Sequence, residues 1–364
     1  MARRAPESLP GYNGTVASLR VAIVGYGLSG RCFHAPLIAT TDGLEVAVVV
    51  TSNAERRAEA EREHPGVLVV DGYEEALAEA PDLVVVAVPN AGHVEVATAV
   101  IHAGVPLVVD KPLASTVADA EGIVAHARAA GVPLTVFQNR RWDSDQLTLR
   151  RLLKEGALGE VTRYESRFER WRPAAKAGAW RDELRSEEGG GVLLDLGSHL
   201  IDAAIDLFGP PTGVYAEVAA RRGGPADDDA FVALHHPGGT ISHLWCSAVA
   251  AVPAARLRVQ GTAAGFVVAD LDPQEAKLRA GERPTDAAWG MPTEPEYPYL
   301  VRGEESERVT PEPGDWRRFY ELLRDALTTG SPLPVDPEEA LTTLRVLDAA
   351  RRSAREHIVV PLDA

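Results

Sequence analysis

Cysteine is nearly absent from this 364-residue chain, which carries only Cys32 and Cys246. Two distant thiols make neither a disulfide framework nor a cysteine zinc cluster. A reducing, cytoplasmic setting is therefore expected. No run of about 18 apolar residues occurs, so no membrane span is expected. Basic residues are also in deficit, 37 Lys and Arg against 53 Asp and Glu, for a net charge of -16. A chain of that sign does not attract a phosphate backbone through its overall field, and no nucleic-acid partner is expected. Lysine is scarce, limited to Lys111, Lys154, Lys176 and Lys277, so each one invites a question. Arg3 and Arg4 are followed by Pro6, Glu7, Pro10 and Gly11 with no apolar segment. Neither a signal peptide nor a twin-arginine signal is read there, and residues 1–18 are expected to form a flexible arm.

What is present is ordinary globular composition, 45% hydrophobic and 25% charged, in a length that suits two domains. Leu19–Gly25, Val46–Val50, Leu83–Val88, Pro106–Val109 and Leu134–Phe137 are short apolar runs. Ala54–Arg62, Tyr73–Ala80, Val94–Ala103 and Ala118–Ala130 lie between them with helical spacing. Strands apolar on both faces, alternating with helices, predict a doubly wound parallel sheet over residues 19–138. Past Gln138 the pattern changes. Val161–Trp171 alternates like a half-buried strand, and Val214–Arg221, Ala230–His235, Thr240–Ala248 and Leu257–Gln260 read as consecutive antiparallel strands, with Pro237-Gly-Gly239 as a hairpin turn. A helix is expected through Phe208, and two more at Trp316–Thr328 and Glu338–Arg355. The proline- and glutamate-rich stretch 270–313 shows no regular pattern. The expectation is an α/β chain with a second, mainly antiparallel domain over 139–364.

Gly25-Tyr26-Gly27-Leu28-Ser29-Gly30 is a G-x-G-x-x-G turn directly after a strand. The first glycine permits the turn, the second lets the backbone approach a pyrophosphate, and the third lets the next helix pack closely. The following strand ends in Thr51-Ser52 where an NAD-binding sheet usually has Asp or Glu, and Arg56 and Arg57 come next. Losing that acid and gaining arginines favours NADP(H), with NAD(H) as the lesser alternative. A plainer reading makes Ser52 an N-cap, boxed with Glu55, and leaves the arginines solvated. Lys111, in Val109-Asp110-Lys111-Pro112, ends a buried strand, where such sheets face their ligand crevice. A helix from about Val192 puts Asp195 and His199 on one face, with Asp202 beside them. The carboxylate is expected to orient the imidazole. No third ligand completes a metal site, and none is expected.

Gly25–Gly30, Pro89-Asn90-Ala-Gly-His93, Asp110-Lys111-Pro112 and Asp195-x-x-x-His199-x-x-Asp202 occur in the order and spacing of the Gfo/Idh/MocA oxidoreductases, a family this chain resembles over residues 19–360. Asp110 stands where the family has Glu. Phe137–Asp143 and Phe33-His34-Ala-Pro36 resemble the subgroup of NADP-dependent scyllo-inositol dehydrogenases. The resemblance implies a Rossmann domain and a C-terminal α/β domain whose open sheet forms homodimers or homotetramers. It also implies catalytic roles for Lys111, Asp195 and His199, and a nicotinamide-side loop at Pro89, Asn90 and His93. Asn139, Arg140, Arg141 and Trp142 fall where the domains meet, and of these Asn139, Arg141 and Trp142 are candidate substrate contacts, beside Asp195 and His199. The implied activity is hydride transfer between a nicotinamide and a CH–OH carbon of a small polyol, sugar or inositol. Two alternatives within the family are a glycosidase or lyase that retains its cofactor and a non-enzymatic dinucleotide sensor.

Overall fold

The structure, a computed structural model, describes residues 18–362 apart from 176, 177, 179, 186 and 187. The arm expected at the start falls on residues 1–17, outside the described residues. Strands β1 (Leu19–Val24), β2 (Leu44–Val50), β3 (Leu68–Val70), β4 (Leu83–Val86), β5 (Leu107–Val109) and β6 (Leu134–Val136) form one sheet in the order β3-β2-β1-β4-β5-β6. All neighbours in it are parallel. Helices α1 (Ala35–Ala39), α2 (Ala54–Glu63), α3 (Tyr73–Ala78), α4 (His93–His102) and α5 (Val117–Ala130) make the crossovers. The valine runs explain the layering. Val84, Val85 and Val86 are all buried, and successive side chains feed cores on opposite faces. β3 was not marked in the sequence, because three residues are too short to show a period. The strand order reverses between β1 and β4. Ligands of such sheets bind beyond the carboxyl ends of the strands at that reversal.

The second half contains α6 (Ser144–Lys154), β7 (Val161–Glu169), α7 (Trp180–Glu183), α8 (Ser198–Phe208), β8 (Gly213–Ala219), β9 (Asp229–His235) and β10 (Ile241–Ser247). It continues through β11 (Leu257–Gly261), β12 (Gly265–Val268), α9 (Gln274–Arg279), β13 (Tyr299–Arg302), β14 (Glu305–Arg308), α10 (Arg317–Thr329), α11 (Pro337–Glu356) and β15 (Val360–Pro361). Its sheet runs β14-β13-β12-β11-β7-β10-β9-β8-β15. All neighbours are antiparallel except β7 and β10, which are parallel, so β7 inserts between β10 and β11. The stretch 270–313 is partly regular after all. It contributes α9 and the last two strands on one side of the sheet, β13 and β14.

Helices α8 and α11 cover one face of this sheet, where Leu200, Ile201, Leu344 and Leu347 join Val232, Leu234 and Leu244 in a single core. The closing helices also reach back to the first domain. Phe319, Tyr320 and Leu323 of α10 share a core with Ile23, Leu37 and Phe137. Thr135 of β6 donates to the Val335 carbonyl at 2.8 Å, just before α11. Among the described residues no helix is long and apolar enough to cross a membrane.

Candidate active site

The glycine turn closes the end of a cavity of about 680 Å³, open at the reversal between β1 and β4. Each glycine has its own physical reason. Gly25 takes φ +100°, and a Cβ there would stand 2.6 Å from the Ala87 carbonyl oxygen. A Cβ on Gly30 would lie 2.0 Å from the Gly25 oxygen. A Cβ on Gly27 would meet nothing within 4 Å. Gly25 and Gly30 are thus required by packing, whereas Gly27 leaves open space on the cavity side. Tyr26, Leu28 and Ser29 also line the cavity.

At the end of β2, Thr51 is buried and Ser52 exposed, and both line the cavity with Arg56. The N-cap of α2 is Asn53, whose side chain accepts from the Arg56 backbone at 3.0 Å. Ser52 is therefore not the cap, and its hydroxyl is left to the cavity. The two arginines part company. Arg56 lines the cavity, whereas Arg57 turns away to the Val69 carbonyl at 2.6 Å and to Asp71 Oδ1 at 2.7 Å. Arg57 is not placed for a ligand. It neutralises the one carboxylate, Asp71, that lines this end of the cavity.

Lys111 follows β5 and meets the segment that leads into α8. Its Nζ donates to the Asp195 carbonyl oxygen at 2.6 Å and to Asp195 Oδ1 at 3.1 Å. An ammonium has three donors, so one remains for the cavity. Asp195 sits in a π-helical turn, Leu193–Gly197, that precedes α8. The extra residue per turn moves its carboxylate off the face expected from α-helical spacing. Among the described residues no hydrogen bond or ion pair joins Asp195 to His199, contrary to the expectation that one holds the other. His199 packs its ring against Phe168, centroids 6.2 Å apart, and its Nδ1 is buried without a hydrogen-bond partner. Burial, and after it the positive charges of Lys111, Arg140, Arg256 and Arg170, hold its pKa well below the usual imidazole value. A neutral imidazole at physiological pH is a proton acceptor.

Of the loop residues, Pro89 and Asn90 line the cavity, and so does Asp110. His93 does not. It is buried, with Nδ1 3.0 Å from the Pro112 carbonyl and Nε2 3.0 Å from the Val88 carbonyl, so it ties two loops together. Asn139 lines the cavity, whereas Arg141 and Trp142 point elsewhere. Arg141 forms a two-pronged pair with Asp202 at 2.9 and 2.8 Å and reaches Glu339 of α11 at 2.6 Å. Trp142 packs on Phe319. Both serve the contact between domains. Asp202 is therefore not beside the catalytic pair, and Asp202→Ala leaves a buried guanidinium short of its main partner. Denaturant melts are expected to show a loss of about 3 kcal/mol, the lower end for breaking a buried pair because Asp206 and Glu339 remain. A loss under about 0.5 kcal/mol contradicts this role.

Arg140, placed by the sequence at the domain boundary but not among the substrate contacts, lines the cavity, and so do Arg170, Glu275 and Arg279, which are not among the residues expected from the sequence. Arg140 is held between Asp143 and Glu275 and lies over the Phe168 ring at 4.9 Å. It belongs to the 3-10 turn Asn139–Trp142, in which neighbouring side chains stand about 120° apart, so Arg140 lines the cavity while Arg141 turns to Asp202. Glu275 and Arg279 pair across one turn of α9. Their i, i+4 spacing was the available signal, inside a stretch whose composition hid the helix.

The donor set fits a dinucleotide. Open backbone at Gly27, hydroxyls and a free guanidinium at the end of β2, and polar groups at Asn90 and Asp110 lie along one cavity. Residues 19–138 match the oxidoreductase family's NAD-binding Rossmann fold, and residues 150–362 match its C-terminal alpha/beta domain. An uncharacterized oxidoreductase of Escherichia coli K12, YdgJ, is 37% identical over 95% of this chain and 99% of its own length. The scyllo-inositol 2-dehydrogenase (NADP(+)) IolW of Bacillus subtilis is 34% identical over 96% of this chain and 97% of its own. The crystal structure of an oxidoreductase from Bacillus cereus, 29% identical, superposes with a TM-score of 0.86 over 95% of this chain and 99% of that one. Two consecutive domain matches and full-length relatives agree with the geometry: the chain belongs to the Gfo/Idh/MocA family of oxidoreductases.

Proposed function

We propose that this protein is an NADP(H)-preferring dehydrogenase acting on a CH–OH or ketone carbon of a small polyol, sugar or inositol-like substrate. The observation that carries the reading is the meeting of Lys111 and His199 in a cavity whose other end is the glycine turn. A bound nicotinamide dinucleotide supplies the two-electron donor or acceptor at its ring. The glycine turn, Thr51, Ser52, Arg56, Asn90 and Asp110 would hold it. Lys111 donates a hydrogen bond to the substrate oxygen and stabilises negative charge there. His199, neutral, accepts the hydroxyl proton in oxidation and returns it in reduction. Asp195 holds the lysine.

The name of IolW supports an inositol-like polyol and NADP as the first choices. A panel of inositols, sugars and their keto forms, followed at 340 nm with both dinucleotides, tests the reading. No absorbance change with any member contradicts it. Because the His199 pKa is lowered, its neutral form persists below pH 6.5. Oxidation should therefore keep its rate as pH falls from 8 to 6.5, while reduction, which needs the proton, speeds up. A reduction rate that falls over the same range contradicts the assignment.

Preference for NADP(H) rests on Arg56 and on the absence of an acid at the end of β2. Arg56→Ala should lower kcat/KM for NADPH about tenfold, the worth of one charge-assisted hydrogen bond, and leave NADH unchanged. Equal losses with both would remove the preference. We also propose self-association through the uncovered face of the second sheet, where Phe231, His243 and Trp245 cluster and Arg167 lies 3.9 Å over Trp245. Light scattering tests this, and a monomer at high concentration contradicts it.

A further inference from the structure

One buried chain of polar groups lies behind the cavity, and two of its members, His34 and Tyr320, take no part in the mechanism above. His34 is completely buried, in the π-helical turn Gly30–His34 that follows the glycine turn. Its Nδ1 is 2.5 Å from the hydroxyl of Tyr320, which α10 brings in from the far end of the sequence. Its Nε2 faces Asp110 Oδ2 at 3.8 Å and has no closer partner. A bare lone pair on Nε2 would be repelled by the facing carboxylate, which favours the tautomer with its hydrogen on Nε2 and Nδ1 accepting from the Tyr320 hydroxyl. The ring is locked against Phe137, centroids 4.3 Å apart. Asp110 in turn accepts from the Lys111 backbone at 2.8 Å and lines the cavity beside Lys111, Pro89 and Asn90.

We propose that Tyr320 and His34 are positioning residues that hold the Asp110 carboxylate at the nicotinamide end of the cavity, and that this fixed negative charge sets the site's preference for the oxidised, cationic dinucleotide over the reduced one. The proposal rests on the dinucleotide reading above. The reduced and oxidised rings differ by one positive charge, so a nearby carboxylate distinguishes them where uncharged packing cannot. Burial alone would raise the Asp110 carboxyl. The His34 imidazole facing it at 3.8 Å, the neighbouring Ser29 and the charge of Lys111 outweigh it and hold the group at about 2. His93 and Tyr320 are further titratable groups within electrostatic reach of Asp110. With His34 removed, burial is less opposed, and Asp110 gains a proton as pH falls.

The test is dinucleotide binding to the full chain, without substrate. NADPH is followed by its fluorescence, and NADP⁺ by displacing it. His34→Leu should raise the ratio of the NADP⁺ to the NADPH dissociation constant about fivefold at pH 7, and more at pH 6 than at pH 8.5. His34→Gln, which restores an N–H donor, should bring the ratio back to within about twofold of wild type. Tyr320→Phe removes only the hydroxyl and should shift the ratio in the same direction as His34→Leu. It carries the test if His34→Leu does not fold. Equal weakening of both forms, or an unchanged ratio in folded variants, overturns the proposal and leaves the dinucleotide reading standing. Wild-type protein that binds neither form overturns both.

Discussion

Lys111→Ala should lower turnover by about 10²-fold or more at saturating substrate and dinucleotide, in both directions. The loss combines two effects: the hydrogen bond to developing charge on the substrate oxygen, and assistance to proton transfer. Removing one such donor from a water-poor site typically costs about 10² to 10³ in rate. Because the side chain also ties the segment before α8 through Asp195, a structural contribution has to be separated. NADPH affinity by fluorescence and the melting temperature serve as controls, and both should change little compared with turnover. Lys111→Arg keeps the charge but presents a broad planar fork, so it should recover only part of the rate. Turnover within a few-fold of wild type in Lys111→Ala would remove the lysine from the mechanism.

His199→Asn should cost about 10²-fold or more, the ordinary contribution of a positioned acid or base. The more telling effect is on the pH profile. The acceleration of reduction at lower pH belongs to the imidazole proton and should vanish in this variant. Lys111→Ala combined with His199→Asn should lose far less than the product of the single losses, since the two act on one substrate oxygen. Multiplicative losses would place the residues in separate tasks.

Much of the fold could be read from residues alone. Runs such as Leu83–Val86, apolar on both faces, admit a covered parallel sheet and little else, and the glycine turn located its ligand end. Lys111 is legible as a cavity residue because strand ends of such a sheet face the crevice, whereas His199 is marked only by the family's Asp-x-x-x-His spacing. The details that failed were those where local geometry departs from ideal periods. Asp195 was assigned to His199 on 3.6-residue spacing, but the π turn gives it to Lys111 instead. The sequence favours Arg141 over Arg140 as a substrate contact, yet in a 3-10 turn adjacent side chains stand about 120° apart, and it is Arg140 that lines the cavity. Arg57 looked equivalent to Arg56 until Asp71, far along the chain, claimed it. Glu275, Arg279 and Tyr320 come from distant segments that only tertiary folding brings to the first domain, and no local pattern carries that information.

The central claim is direct transfer of hydrogen between the dinucleotide and a carbinol carbon within this cavity. Reduction of a keto-inositol or keto-sugar identified by the panel, with NADPH carrying deuterium at one or the other face of C4, tests it most directly. The account predicts that one of the two labelled forms delivers one deuterium per product molecule, bound to the new carbinol carbon. Product formed without label from either form, or with label lost to water, would contradict it.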